Sequence, residues 1–337
     1  MKKILVTGGA GFIGSHTVCE LVNAGYAPVI VDDFSNSDER ILSGLRKILG
    51  VDPILYRMDC TNAADMRIVF EKESPVAVIH FAAFKAVGES VENPLKYYKN
   101  NIDSLLVLLG LMHEFNVNNL VFSSSCTVYG QPDVLPVTEA TPQQEATSPY
   151  GYTKQVCERI IRDFGVAMPT FSCALLRYFN PIGAHRSGAI GELPFGVPSN
   201  LVPFITQTAA GLRNKLTIYG DDYATTDGTC IRDYIHVSDL ARAHVKSLNW
   251  LEQSEHVCET FNLGQGRGNS VLEVVKTFVK VSGVQLNYEV GKRRSGDVEQ
   301  VWADVQKANT ILNWKTELTL EDALEDAWRW EQGLSKQ

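Results

Sequence analysis

An apolar run, Ile4-Leu5-Val6, ends in a cluster of glycines at Gly8, Gly9, Gly11 and Gly14, and the stretch Ser15 to Ala24 follows with apolar Val18, Leu21 and Val22. The run reads as a buried parallel strand and the later stretch as a helix. Glycine between them allows a tight turn and a close backbone approach. A strand, a glycine turn and a helix N-terminus together present backbone N–H groups and the positive end of a helix dipole to an anion such as a dinucleotide pyrophosphate. The glycines fit GxGxxG from Gly9 and GxxGxxG from Gly8. Such a pattern also occurs in ordinary strand-to-helix turns, so its context decides. A second apolar run, Pro28 to Val31, ends in Asp32 and Asp33. An acid at that place, roughly 20 residues past the glycines, suits a hydrogen bond from a ribose 2′-hydroxyl and repels a 2′-phosphate, so NAD is expected over NADP.

Further along, apolar runs at 53–56, 76–81, 119–124 and 172–178 alternate with helical patterns near 38–49, 64–73, 94–115 and 149–165. This rhythm predicts an α/β fold, a doubly wound parallel sheet of the Rossmann type with helices on both faces. It breaks near Pro181. Residues 181–228 are rich in Gly, Pro, Asn and Asp, after which Arg232–Val237 reads as a strand and Ser238–Leu251 as a helix. Helices are expected near 270–282, 304–313 and 319–332, with Ser270, Asp304 and Thr319 as N-caps. The division that follows is a nucleotide domain over 1–180, to which 229–252 returns, and a smaller mixed α/β substrate domain over 181–337. A ligand between them would lie at the carboxyl edge of the sheet.

Composition narrows the partners. The chain has 337 residues, 45% hydrophobic and 21% charged, with a formal net charge of −8 and no basic tract. Neither nucleic acid nor an anionic membrane is an expected partner, and no run is long enough to span a bilayer. The seven cysteines are scattered and lack a CxxC, and the seven histidines lack HxxxH and HExxH spacing. Reduced thiols in the cytoplasm and no metal site are expected.

A second dense segment is SPYGYTKQVCER, in which Tyr150 and Lys154 stand four apart. On a helix this places both on one face. A nearby ammonium favours phenolate over phenol, so the spacing predicts a tyrosine titrating below its usual value of about 10 and able to act as acid and base. Ser123, Ser124 and Ser125 close the strand NLVFSSS, where a hydroxyl would meet a substrate oxygen.

TGGAGFIGSH, the Asp32 strand end, HFAAFKAVGES, FSSSCTVYG, SPYGYTK, LRYFNPIGAH, RDYIHVSDLA and FNLGQGRGNSV occur in this order. On these motifs the chain resembles the extended short-chain dehydrogenase/reductase superfamily and, within it, the UDP-glucose 4-epimerase family, over nearly all of 1–332. The resemblance implies an isomerase of galactose metabolism that interconverts UDP-glucose and UDP-galactose. The sugar 4-hydroxyl is oxidised transiently by tightly held NAD, and the 4-keto sugar turns over before reduction on its other face. It implies Tyr150 as catalytic base, Lys154 as its activating lysine and Ser125 as the hydrogen-bonding serine. Beyond Gly8, Gly11, Gly14, Tyr150 and Lys154, it implies NAD contacts from Phe12, Ile13, Asp32, Asn36, Ser37, Asp59, Cys60, Phe81, Lys85, Asn100 and Phe179. Besides Ser125 and Tyr150, it implies UDP-sugar contacts from Asn180, Asn200, Leu201, Tyr219, Arg232, Arg294 and Asp297, the arginines being suited to a diphosphate. Val301 stands where some members carry a tyrosine beside the hexose. The smaller side chain extends the expectation to UDP-N-acetylglucosamine and its galacto partner.

The resemblance also implies a homodimer built on the helices near 94–115 and 149–165. Their apolar residues Leu105, Leu108, Leu109 and Met112, and Val156, Ile160 and Ile161, recur at helical spacing. Two other readings stay open. One is a nucleotide-sugar dehydratase or decarboxylase, although Cys126 and Thr127 after Ser125 do not supply the acid and base that water loss needs. The other is a non-catalytic NAD-sensing module, which has no need of Tyr150, Lys154 and Ser125 together.

Overall fold

The computed structural model describes residues 1–294 and 297–334. Its first strands are β1 (Lys3–Thr7), β2 (Ala27–Val31), β3 (Ile54–Tyr56), β4 (Ala77–His80), β5 (Asn119–Ser125) and β6 (Ser172–Tyr178). Short segments β7 (Asn180–Ile182), β8 (Leu216–Tyr219), β9 (Ile231–Arg232) and β10 (Tyr234–His236) precede β11 (Cys258–Leu263). The last are β12 (Asn269–Ser270), β13 (Tyr288–Gly291) and β14 (Gln300–Val301). The large sheet has seven strands among the described residues, in the order β11-β6-β5-β4-β1-β2-β3, and every pairing is parallel. Ile4, Leu5, Val6, Ile30 and Val78 are fully buried, as a strand covered on both faces requires.

The helices around this sheet are α1 (Phe12–Asn23), α2 (Arg40–Leu49), α3 (Ala63–Glu73), α4 (Val87–Glu92), α5 (Pro94–Glu114) and α6 (Pro149–Ala167). Later come α7 (Leu201–Ala209), α8 (Val237–Leu251), α9 (Val271–Ser282), α10 (Gln306–Ile311) and α11 (Leu320–Leu334). Leu240, Leu248 and Leu251 of α8 share an apolar cluster with Val18 and Leu21 of α1 and with Ile4, Val6 and Leu176 of the large sheet. A separate cluster, with Ile182, Val202, Ile205, Ile218, Phe278 and Leu324, supports the small sheets β10-β7 and β13-β8, while Val301 of the third small sheet, β12-β9-β14, packs in another cluster with Tyr129 and Phe179.

Four expectations change. Cys258–Leu263, which shows no clear strand pattern in sequence, forms the seventh strand and carries the return past 252. The single strand expected over Arg232–Val237 is broken at Asp233, whose buried carboxylate accepts N–H bonds from Gln265 (2.6 Å), Gly266 (3.1 Å) and Ala303 (3.2 Å). Asp304 is not the N-cap of α10: the helix starts two residues later, and Asp304 Oδ1 instead accepts the Gln306 N–H at 2.9 Å. Leu105, Leu108, Leu109, Met112 and Ile161 face their own subunit's core. By contrast, the Ser270 cap is realised as a reciprocal capping box with Glu273, and Thr319 exchanges hydrogen bonds with Asp322. Among the described residues no helix is long and apolar enough to cross a membrane.

Candidate active site

Because the large sheet is parallel, the C-terminal ends of its strands share one edge. The chain runs from β1 outward through β2 to β3, then resumes at β4 on the other side of β1 and runs outward to β6. The order reverses between β1 and β4, and open α/β sheets hold ligands at that crevice. The glycines lie at its mouth. Gly8 has a φ of +71°, and a Cβ there would come within 2.7 Å of the Ala82 backbone nitrogen. A Cβ on Gly14 would come within 2.3 Å of the Gly8 carbonyl oxygen. The cradle therefore closes only with glycine, and α1 begins beyond Gly11 without a side-chain cap. Phe12 and Ile13 form its first turn, partly buried, with its N–H groups directed at the crevice.

Asp32 follows β2 and is 7% exposed. Its Oδ1 accepts from the Ser37 hydroxyl (2.6 Å) and the Phe34 N–H (3.0 Å), and its Oδ2 from the Ala10 N–H (2.9 Å). Burial raises its carboxyl above the usual range, against the lowering effect of these three donors. Oδ2 has taken one donor and keeps capacity for another, such as a ribose hydroxyl. Asn36 and Asp59 are exposed near this rim, while Cys60 is buried. The glycine cradle and the seated carboxylate together fit the adenosine and pyrophosphate ends of a dinucleotide.

The catalytic candidates come from β5 and α6. Ser125 ends β5 with its Oγ accepting the Thr127 N–H at 3.2 Å. Ser148 caps α6 through the Gly151 N–H, so Tyr150 and Lys154 both stand in its first turns, both buried. Lys154 Nζ donates to the Ser123 carbonyl at 2.6 Å and lies 5.0 Å from the Phe122 ring centre. Burial draws its ammonium down to about 8, against Cys157 and Glu158. The expected low tyrosine value is not found. Burial pushes the Tyr150 phenol up to about 12, and a hydrogen bond with Ser125 opposes this only in part. Desolvation of the phenolate outweighs the protein's own donors, and the Lys154 ammonium is engaged with a strand carbonyl.

Phe81 lies beside His244 with ring centres 4.7 Å apart. Lys85 Nζ meets Glu192 Oε1 at 3.2 Å, and the same oxygen accepts from Asn200 Nδ2 at 2.7 Å. Glu192 thus ties a cofactor candidate to a substrate candidate, and Leu201 follows directly at the start of α7. Asn100 is partly buried on α5, but its neighbour Asn101 clamps the 81–85 segment: it receives the Phe84 N–H, and donates to the Phe84 carbonyl and the Thr153 hydroxyl. Phe179, directly after β6, shares a cluster with Tyr129, Val128 and Val301.

On the far side, Asn180 N–H donates to the Asp233 carbonyl at 2.9 Å. Asp297 links both arginines. Arg294 Nη2 is 2.8 Å from Asp297 Oδ1, and Arg232 Nη2 is 4.0 Å from the same atom. The Arg294 guanidinium lies 5.6 Å from the ring centre of Tyr219. Val301 pairs with Arg232 in register and is 6% exposed, packed among Tyr129, Phe179 and Ala303. A cation pair, an aromatic face and a carboxylate are the chemistry that would suit a nucleoside diphosphate.

Sequence reasoning missed Glu192, Asn101, Asp233 and Thr127. The Asp233 carboxylate anchors two distant segments, at 265–266 and at Ala303, around Arg232 and Val301; burial pushes it up to about 6 against three backbone donors. Thr127 Oγ1 is buried with no hydrogen-bond partner among the described residues, and the Thr127 Cβ lies 3.7 Å from the place a Cβ on Gly151 of α6 would take. Only Asn101 had a local signal, a polar residue on the apolar face of α5.

The family model described as GDP-mannose 4,6 dehydratase matches residues 5–327. A UDP-glucose 4-epimerase of Dictyostelium discoideum is 49% identical over 329 residues, covering 98% of this chain and 95% of that protein. Its counterpart in Bacillus subtilis is 49% identical, covering 97% and 96%. A crystal structure of UDP-glucose 4-epimerase from Bifidobacterium longum in complex with NAD+ and UDP superposes with a TM-score of 0.95 at 47% identity, covering 98% of both chains.

Proposed function

The chain belongs to the UDP-glucose 4-epimerase family of the extended short-chain dehydrogenase/reductases, and from that premise we propose how its own side chains divide the work. It is an NAD-dependent isomerase that interconverts UDP-glucose and UDP-galactose. When bound, NAD supplies the acceptor and donor of hydride and a positive charge near the phenol. The Gly8–Gly14 turn with Phe12 and Ile13 would hold its pyrophosphate. Asp32 and Ser37 would hold the adenosine ribose, with Asn36, Asp59 and Cys60 around it. Phe81, Lys85, Asn100, Lys154 and Phe179 would line the nicotinamide end. Arg232, Arg294 and Asp297, with Tyr219, Asn180, Asn200 and Leu201, would hold the UDP portion and leave the hexose room to turn.

Tyr150 then takes the proton of the sugar 4-hydroxyl and later returns it. Ser125 hydrogen-bonds both Tyr150 and that oxygen, and Lys154, seated on Ser123, keeps a positive charge beneath the pair. The observation that carries this assignment is the meeting of Ser125, Tyr150 and Lys154 at the sheet edge where the glycine turn opens. Residues 1–180 with the 229–252 return and β11 would bind the cofactor, and the later segments the sugar nucleotide. We place the protein in the cytoplasm, in keeping with its unpaired cysteines, and propose a homodimer. Valine at position 301 extends the substrate range to N-acetylated UDP-hexoses.

The test is purified protein incubated with UDP-galactose and no added cofactor, beside a Tyr150→Phe variant. The wild type should form UDP-glucose. The variant should keep NAD and lose roughly two to four orders of magnitude in turnover. Near-normal turnover in the variant removes Tyr150 from the mechanism.

A further inference from the structure

Cys173, second in β6, and Cys258, first in β11, are register partners in a parallel pair. Register partners stand side by side on one face of a sheet, and the spacing of adjacent strands falls within the Cα separation that a disulfide spans. The two Sγ atoms lie 2.6 Å apart, well inside ordinary non-bonded approach. Both cysteines are free thiols, Cys173 fully buried and Cys258 partly exposed. The pair sits at the N-terminal ends of its strands, the opposite end of the sheet from Ser125 and Phe179, beneath the C-terminal half of α6. The charged groups around it are Arg162 and Glu158 of α6 and Glu259 of β11, the last paired with Lys307.

We propose that Cys173 and Cys258 form a reversible redox site, in which a peroxide converts the two thiols into a disulfide that staples the edge strand β11 to β6. The Cys258 thiolate attacks one peroxide oxygen and the O–O bond breaks. The departing oxygen takes a proton and leaves as water or alcohol, and the Cys258 sulfur, oxidised by two electrons, becomes a sulfenic acid. Cys173 then attacks that sulfur; the S–O bond breaks, the S–S bond forms, and water leaves with the Cys173 proton. Two thiols and one peroxide thus give one disulfide, with hydrogen peroxide reduced to two waters.

The roles follow from the surroundings. The Cys173 hydrogen bond lowers the Cys258 thiol, so Cys258 attacks first, whereas burial raises Cys173. Burial also raises Cys19, Cys60, Cys126 and Cys157, which makes them poor competitors.

The experiment treats the whole protein with hydrogen peroxide, alkylates remaining thiols, and maps the cysteines by mass spectrometry. The expected product has lost two hydrogens, carries a Cys173–Cys258 cross-linked peptide, unfolds at a higher temperature, keeps its epimerase activity, and reverts with dithiothreitol. In Cys173→Ser, dimedone should label Cys258 as a sulfenic acid, and in Cys258→Ser no cross-link should form. The proposal fails if both cysteines remain alkylatable under peroxide, if Cys258 goes directly to sulfinic acid in the unmodified sequence, or if cross-links form between other cysteines instead.

Discussion

Glu158 and Arg177 form a two-pronged ion pair inside the protein, with Arg177 Nε 2.8 Å from Oε1 and Nη2 2.6 Å from Oε2. The side chains are 2% and 4% exposed, which makes every partner count. Glu158 lies one turn beyond Lys154 on α6 and also receives the Ser124 hydroxyl (2.6 Å) and the Gln143 amide (2.8 Å). Burial alone would raise the Glu158 carboxyl, but Arg177 and Ser124 hold it below the usual range. The pair therefore ties α6 to β6, and the Ser124 hydroxyl brings the end of β5 to the same carboxylate.

Glu158→Gln removes the counter-charge and leaves Arg177 buried without it. Breaking such a pair costs about 3–5 kcal/mol, and a pair replaced by apolar groups costs much less. The single variant should unfold at clearly lower urea concentration and lose kcat more than it changes KM. Glu158→Leu with Arg177→Met should regain most of the stability and not the kcat. Urea midpoints and steady-state kinetics on the three proteins check this, and a double variant as unstable as the single one contradicts it.

Acid sensitivity should come from buried histidines. His244 donates from Nδ1 to the Leu240 carbonyl and accepts from the Tyr178 hydroxyl at Nε2, and His80 Nδ1 meets the Thr7 hydroxyl at 2.6 Å. Burial draws His16 and His80 down to about 3 and His244 to about 4. The folded protein keeps these rings neutral while the unfolded chain protonates them near 6.5. Their contribution is thus complete above about pH 6.5 and is lost as pH falls toward 4 and 3. Each should add a slope of about 1.4 kcal/mol per pH unit. Stability measured between pH 7 and pH 5 should fall steeply, and His80→Asn should flatten that slope by one proton's share.

Val301 is expected to set sugar breadth. It is packed against Tyr129 and Phe179 beside the register position of Arg232. The wild type should epimerise both plain and N-acetylated UDP-hexoses. In Val301→Tyr the added ring should abolish turnover of the acetylated sugar and leave the plain one within about tenfold, since overpacking costs roughly 1–3 kcal/mol. Parallel assays of both substrates decide it. A wild type inactive on acetylated sugars, or a variant that keeps that activity, contradicts the expectation.

The dimer should form on apolar positions that the core leaves open. Leu95 of α5 is 80% exposed, and Tyr152 and Val166 of α6 are 50% and 86% exposed. Light scattering at micromolar concentration should give twice the 37.3 kDa chain mass, and Leu95→Asp with Val166→Asp should give the monomer. A monomeric wild type rules the dimer out.

Signals carried by neighbours in sequence were legible before the fold was known. The Gly8–Gly14 turn, the acid after β2, the first six sheet strands, the Ser270 N-cap and the Tyr150–Lys154 spacing each depend on residues within a turn or two, where backbone sterics and periodicity act. Other features needed the tertiary structure, because each joins groups far apart in the chain. Cys258–Leu263 became a strand by pairing with β6, and Asp233 broke another by collecting three distant N–H groups. Glu192 joined Lys85 to Asn200, and Cys258 came to lie on Cys173. The sign of the Tyr150 shift was settled the same way. Spacing placed an ammonium one turn away, but the segments that close over the phenol bury it, and burial decides the direction.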